Sequence, residues 1–243
     1  MAFIKIEVTN QSTVLTDAKV ESVIPSLQVQ IHRDFAPVWG IDADLCFLAK
    51  GGTPSPGAWM LGIFDNSDQA NALGYHELSP QGTPLAKVFA GSDIQAGSNW
   101  TITASHELCE MIADPDIDLT VFVQSGNTTG ILYSYECCDA CEADSLGYSI
   151  NGVTVSDFVF PSWFESFRTT GSTQFDYGNH ITKPFEILSG GYIGVFDVTA
   201  GSGWQQLTSS GMTTKEAFRG RIDSRLERRK LPRDKWRKSS PQS

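Results

Sequence analysis

Apolar and polar residues alternate along "AFIKIEVTN" (residues 2–10), the period-two pattern of a half-buried strand. The period then changes. Val20, Val23, Ile24, Leu27, Ile31 and Phe35 recur at helical spacing, which predicts one long helix over about residues 17–37 despite Pro25, with Gly40 closing the region. "ADLCFLA" and "AWMLGIFDN" read as strands on either side of the turn-rich "KGGTPSPG", and "NALGYHEL" and "PLAKVFAG" read as two more. A second helix is predicted from a cap at Ser98 or Asn99 to about Asp114, where Pro115 discourages continuation. Beyond it, "LTVFVQSGNTTGILYSYE" predicts two strands around a Gly-Asn turn, and "GYSINGVTVSDFV" predicts a hairpin turning at Asn151-Gly152. Residues 161–204 lack long periodic runs, so this stretch is expected to be irregular, with short strands such as "GYIGVFDV". In "TKEAFRGRIDSRLERR", Phe218, Ile222 and Leu226 stand four residues apart among charges, one narrow apolar face on a partly helical tail.

The order of elements predicts an α+β fold with three regions. Residues 1–116 form an N-terminal subdomain containing both helices, 117–212 a β-rich C-terminal subdomain, and 213–243 a tail. The 243 residues suit one globular domain or a domain with a subdomain. Charge sharpens the last boundary. Before residue 213 there are 24 acidic and 7 basic side chains; from there on there are 4 acidic and 11 basic. The acidic body discourages nonspecific nucleic-acid binding, whereas the basic tail suits an acidic protein surface, another polyanion or the body itself. No run of about 20 apolar residues and no export signal is present, which predicts a soluble protein, cytoplasmic or virion-associated, with no membrane partner. Cys46, Cys109, Cys137, Cys138 and Cys141 are odd in number and clustered, unlike a disulfide framework. Phosphate-loop, dinucleotide-binding and nucleophile-elbow motifs are absent.

Candidate chemistry concentrates in "TASHELCEMIADPDID", residues 103–118. Positions four apart share a helix face, so His106 and Glu110 can reach one ion, with Glu107 beside them. The other positions are mostly apolar, which predicts a buried helix with one polar stripe. Ionised carboxylates on such a stripe need a partner, and a divalent cation is one.

Strand, long helix, several strands and then a helix opening near residue 100 with His-Glu resembles the arrangement of the metzincin-type zinc endopeptidases over residues 1–116. Residues 20–205 are similar to a group of zincin-like proteins from bacteria and phages, through "DFAPVWG", "SHELCEMIADP", "YECCDACE" and "VSDFVFPSWF". The resemblance implies a mixed twisted sheet, zinc as cofactor, His106 as first metal ligand and Glu107 as general base. It also implies that "NALGYHELSPQGTPLAKVF" supplies an edge strand beside a bound peptide. Three departures matter. Glu110 stands where the second histidine belongs, Ala113 replaces a turn glycine, and Asp116, at third-ligand spacing, follows Pro115, which argues against its binding.

The third ligand is expected from "YECCDACE", residues 135–142, with Glu136 first because a downstream glutamate completes known zinc sets. Asp139 and Glu142 are further oxygen donors, and with Asp144 they also raise calcium. Cys138 and Cys141 form a C-x-x-C pair, open to a structural metal, redox chemistry, or simply burial among turn backbone. His32, His76 and His180 read as ordinary histidines, although His76 on the edge-like strand could face a substrate groove. The function these residues predict is peptide hydrolysis through a metal-activated water. Because two carboxylate ligands donate more negative charge than two imidazoles, the cation should be a weaker Lewis acid than usual. The rival from another class is an inert zincin-shaped binding or structural protein of a phage particle or delivery apparatus, anchored by its tail.

Overall fold

The computed structural model describes residues 4–69, 72–201 and 203–213; the basic tail predicted over 213–243 therefore lies almost wholly outside the described residues. A mixed five-stranded sheet carries the first half of the chain. Its strands are β1 (Ile4–Asn10), β2 (Ala43–Leu48), β3 (Trp59–Phe64), β4 (Gly74–Leu78) and β5 (Pro84–Phe89), in the order β2-β1-β3-β5-β4. All neighbours are parallel except β4, which runs antiparallel to β5 at the edge. Register pairs Val8 with Leu61 and Ile63 with Val88, side chains exposed by no more than 1%. Removing such side chains from water contributes roughly 1.5–3 kcal/mol each.

The parallel β1–β2 pair needs a crossover, and helix α1 (Asp17–Val29) supplies it, packing on both strands. The Thr16 side chain caps it by accepting from Lys19 N–H. The sequence predicts one helix over 17–37, whereas the structure divides this stretch into α1, a π-helical segment over Gln30–Phe35 and a short α2 (Ala36–Trp39) ending at left-handed Gly40. The wider π turns stand directly before Pro37, which has no N–H to return to the preceding turn. Two further helices follow, α3 (Ala90–Ala96) and α4 (Trp100–Ala113). The pattern did not predict α3, because it is only seven residues long, contains Gly91 and has no side-chain cap.

The second half builds an antiparallel sheet, ordered β12-β11-β10-β7-β6, from β6 (Thr120–Gln124), β7 (Gly130–Ser134), β10 (Tyr192–Asp197), β11 (Trp204–Thr208) and β12 (Gly211–Thr213). The hairpin of β8 (Tyr148–Ile150) and β9 (Val153–Val155) turns at Asn151-Gly152, both with positive φ, as the sequence predicts. Residues 161–204 are largely irregular as expected, but their end joins β10 and β11, and β12 was not foreseen.

One hydrophobic core runs through both halves, from Ile6, Leu27 and Phe35 to Val155, Trp163 and Val195. Three of the stretches singled out in the sequence meet in it. Phe35 packs on Phe158, Trp39 packs on Tyr135 and Phe164, and Trp39 Nε1–H donates to Val159 O at 3.1 Å. This aromatic seam holds residues 135–142 against the rest of the fold. No helix among the described residues is long and apolar enough to cross a membrane.

Candidate metal centre

Every residue of α4 is buried, so each of its polar side chains needs a partner inside the protein. Asn99 caps the helix by accepting from Thr101 N–H at 3.1 Å. At the other end, Asp114 accepts from Asp118 N–H and Leu119 N–H, the local helix-end role its position predicts. Between these ends Thr101 donates to Thr154 O, Thr103 to Asp93, and Ser105 to Ile102 O while accepting from Ser156 N–H. That leaves His106, Glu107 and Glu110, each no more than 2% exposed.

His106 and Glu110 sit one turn apart, with His106 Nε2 at 3.2 Å from Glu110 Oε2. The same nitrogen is 3.3 Å from Asp139 Oδ1. Glu110 Oε1 accepts from Cys138 N–H at 3.0 Å, which ties the helix to residues 135–142. His76, 1% exposed on the edge strand β4, joins the same cluster. Its Nδ1 lies 3.6 Å from Glu107 Oε2 and 3.9 Å from Glu110 Oε2, and its Nε2 lies 3.7 Å from Glu136 Oε2. Strand and helix approach so closely here because β4 begins with Gly74. A Cβ on that residue would stand 2.7 Å from Glu107 Oε1 and 2.7 Å from Thr103 Cγ2.

Donor atoms lying within 4.8 Å of one another define three overlapping groups: His106 with Glu110 and Cys138, His76 with Glu110 and Glu136, and His106 with Asp139 and Glu142. Of the residues the sequence nominates, the structure brings His106, Glu107, Glu110, Glu136, Cys138, Asp139 and Glu142 into one neighbourhood. Glu136 groups with His76 and Glu110 rather than with His106. Asp116 is exposed and belongs to no group, in keeping with the missing glycine before it. Cys141 is buried and belongs to none either, so among the described residues no donor group joins the C-x-x-C pair; all five cysteines are free thiols. His76 is the residue that sequence reasoning undervalued. Its alternation with Gly74 puts both on one face of β4, but nothing local says that the face meets Glu107.

Electrostatics follow from burial and from these neighbours. Burial pushes the Glu110 carboxyl up, yet the charges of His106 and His76 and hydrogen bonds from His106 and Cys138 N–H outweigh it and hold it at about 2. Burial pushes Asp139 well above the usual carboxylate range, with the Glu110 charge adding to the effect. For Cys138, burial is outweighed by hydrogen bonds from the Cys109 and Cys137 thiols and by the His106 charge, which bring it down to about 5.

A separate cluster joins Asp157, Asp176 and His180, the last with a side chain 43% exposed. Backbone N–H groups already occupy it: Asp157 Oδ1 accepts from Phe158 and Gly178, and Asp176 accepts from His180 and Ile181. Burial, followed by the hydrogen bond and charge of Asp176, pushes Asp157 up to about 7. His180 Nδ1 at 3.2 Å and the Cys141 thiol are its other titratable neighbours. The folded protein thus binds this proton more tightly than the unfolded chain between about pH 4 and 7, so the group's contribution to stability falls as pH rises through that window. Asp157→Asn keeps the Oδ1 acceptor. It should flatten this dependence and raise stability at pH 8 by about 1–3 kcal/mol, measured by urea unfolding at pH 4 and pH 8; identical pH profiles for the two proteins would remove the assignment. His32, in contrast, pairs with Asp42 and Asp44 near the surface.

No protein-family model matches the chain, and no curated protein or solved structure matches it.

Proposed function

We propose that this protein is a metal-dependent hydrolase of peptide bonds with a zincin-like fold. The observation that carries this reading is the His106 imidazole, fully buried between the Glu110 and Asp139 carboxylates at 3.2 and 3.3 Å with Glu107 one residue away. The donors fit a divalent cation. Both ring nitrogens of His76 and Asp139 Oδ2 are buried without a hydrogen bond, and a cluster of buried carboxylates is costly unless positive charge joins it. His106, Glu110 and Cys138 would hold the ion, a mixed nitrogen, oxygen and sulfur set that suits zinc. Support for the fold comes from the long helical stretch between β1 and β2, the antiparallel edge strand β4 and the position of α4 beside that strand.

When bound, the cation supplies Lewis acidity toward a peptide carbonyl and a water. The rest of the chemistry belongs to the chain. Glu107 accepts the proton of the attacking water and returns it to the leaving amine. Asp139 Oδ1, 3.3 Å from the same His106 nitrogen, is a further carboxylate beside the ion's place. Backbone of β4, which among the described residues has a strand neighbour on one side only, offers an extended peptide a strand to pair with.

One observation favours a second reading. Glu107 is 2% exposed, as suits a binding or structural protein whose polar stripe is neutralised inside the fold and whose basic segment 213–243 is its anchor. Elemental analysis of the purified protein, followed by incubation of a mixed peptide library with metal-loaded and chelator-treated samples, separates the two. The expected result is bound metal and cleavage that disappears on chelation and returns with zinc. Protein that takes up no metal overturns the hydrolase reading, and bound metal without cleavage favours the structural one.

A further inference from the structure

The donors converging on α4 are more than one ion can use. Two ligands of a single zinc-sized cation, each about 2.0–2.2 Å from it, stand no more than about 4.4 Å apart. The two histidines do not meet this condition together: among the described residues no donor group contains both His76 and His106. Instead each imidazole has its own set, and the Glu110 carboxylate occurs in both, its Oε2 facing His106 Nε2 at 3.2 Å and His76 Nδ1 at 3.9 Å.

His76 points to a ligand independently of this count. It is 1% exposed and neither ring nitrogen makes a hydrogen bond, although buried imidazoles ordinarily satisfy at least one. The carboxylates around it, from Glu107, Glu110 and Glu136, stand 3.6–3.9 Å away. These gaps are too long for hydrogen bonds. Glu107 and Glu110 face Nδ1 and Glu136 faces Nε2, and one ring nitrogen with one oxygen each from Glu110 and Glu136 lie within 4.8 Å of one another, the spread of donors around a common ion. Gly74 is what permits the arrangement, since any side chain there would hold β4 away from Glu107.

We infer that the centre takes a second divalent cation, on His76, Glu110 and Glu136, with the Glu110 carboxylate common to both ions. This rests on the metal-centre reading above and extends it from one ion to a pair. One imidazole with carboxylate oxygens suits zinc or manganese rather than a soft thiophilic ion. A pair of ions would clamp both the attacking and the departing groups of a displacement.

The test is stoichiometry, read without turnover. Chelator-stripped full-length protein is titrated with zinc, then with manganese for paramagnetic resonance. The wild type is expected to take two equivalents of zinc per chain, and two equivalents of manganese should give a spin-coupled signal in place of the six-line signal of isolated ions. His76→Ala is expected to keep one zinc equivalent and to show only isolated manganese. Saturation of the wild type at one equivalent, uncoupled manganese, or two equivalents in folded His76→Ala would overturn the pair while leaving a single-ion centre standing; zero equivalents would overturn the metal centre itself. If circular dichroism shows His76→Ala unfolded, the wild-type stoichiometry and resonance decide.

Discussion

Glu107→Gln is expected to lower peptide hydrolysis by about 10²- to 10⁴-fold, the usual contribution of a general base, with the bound metal and the thermal midpoint essentially unchanged. Glutamine has the shape of glutamate, so it fits the slot left by Gly74 and keeps α4 packed against β4. What it lacks is a site that accepts a proton from water. Glu107 forms no part of the His106, Glu110 and Cys138 donor group, so the substitution separates proton transfer from cation binding. The measurement is kcat/KM on a cleaved library peptide beside metal content by elemental analysis. Undiminished hydrolysis would remove Glu107 from the reaction, and loss of the metal would show instead that its charge is needed to hold the ion.

A larger effect on stability is expected at Glu110. Alanine there removes together the acceptor of Cys138 N–H and the carboxylate that faces two buried imidazoles. Breaking a buried pair from one side costs about 3–5 kcal/mol, which for a domain of this size shifts the unfolding midpoint by on the order of 10 °C. Glu110→Gln retains an oxygen for the Cys138 N–H and should recover part of the loss but not the metal. In the wild type the sign of the pH dependence follows from a carboxyl held at about 2 against 4.5 in the unfolded chain. Its contribution is present above pH 4.5 and is lost as pH falls toward 2. Urea unfolding of the three metal-free proteins at pH 7 gives the ranking, and equal stability of wild type and Glu110→Ala would contradict the buried network described here.

Elements whose pattern is written within ten or so residues were legible before the structure. The four parallel-sheet strands and β4 followed from apolar runs between turn residues, α4 from its Asn99 cap and Pro115 stop, and the β8–β9 hairpin from Asn151-Gly152. The His106 and Glu110 pairing was legible for the same reason, since one helical turn fixes it. Partnerships across the fold were not. Asp139 and Cys138 reach α4 because an aromatic seam of Trp39, Tyr135, Phe158 and Phe164 positions their loop, and His76 reaches it because Gly74 lets an edge strand close in. Neither approach leaves a periodic signature. The π-helical turns before Pro37 likewise escaped a helical spacing that tolerates small changes of pitch.

The tie between Glu110 and Cys138 spans 28 residues of chain. During synthesis α4 emerges before Cys138, so until that residue joins the helix Glu110 is without this hydrogen bond. On the proposed reading, a cation can be captured only after residues 136–142 have docked on α4, so protein made without metal should take up zinc afterwards without new translation.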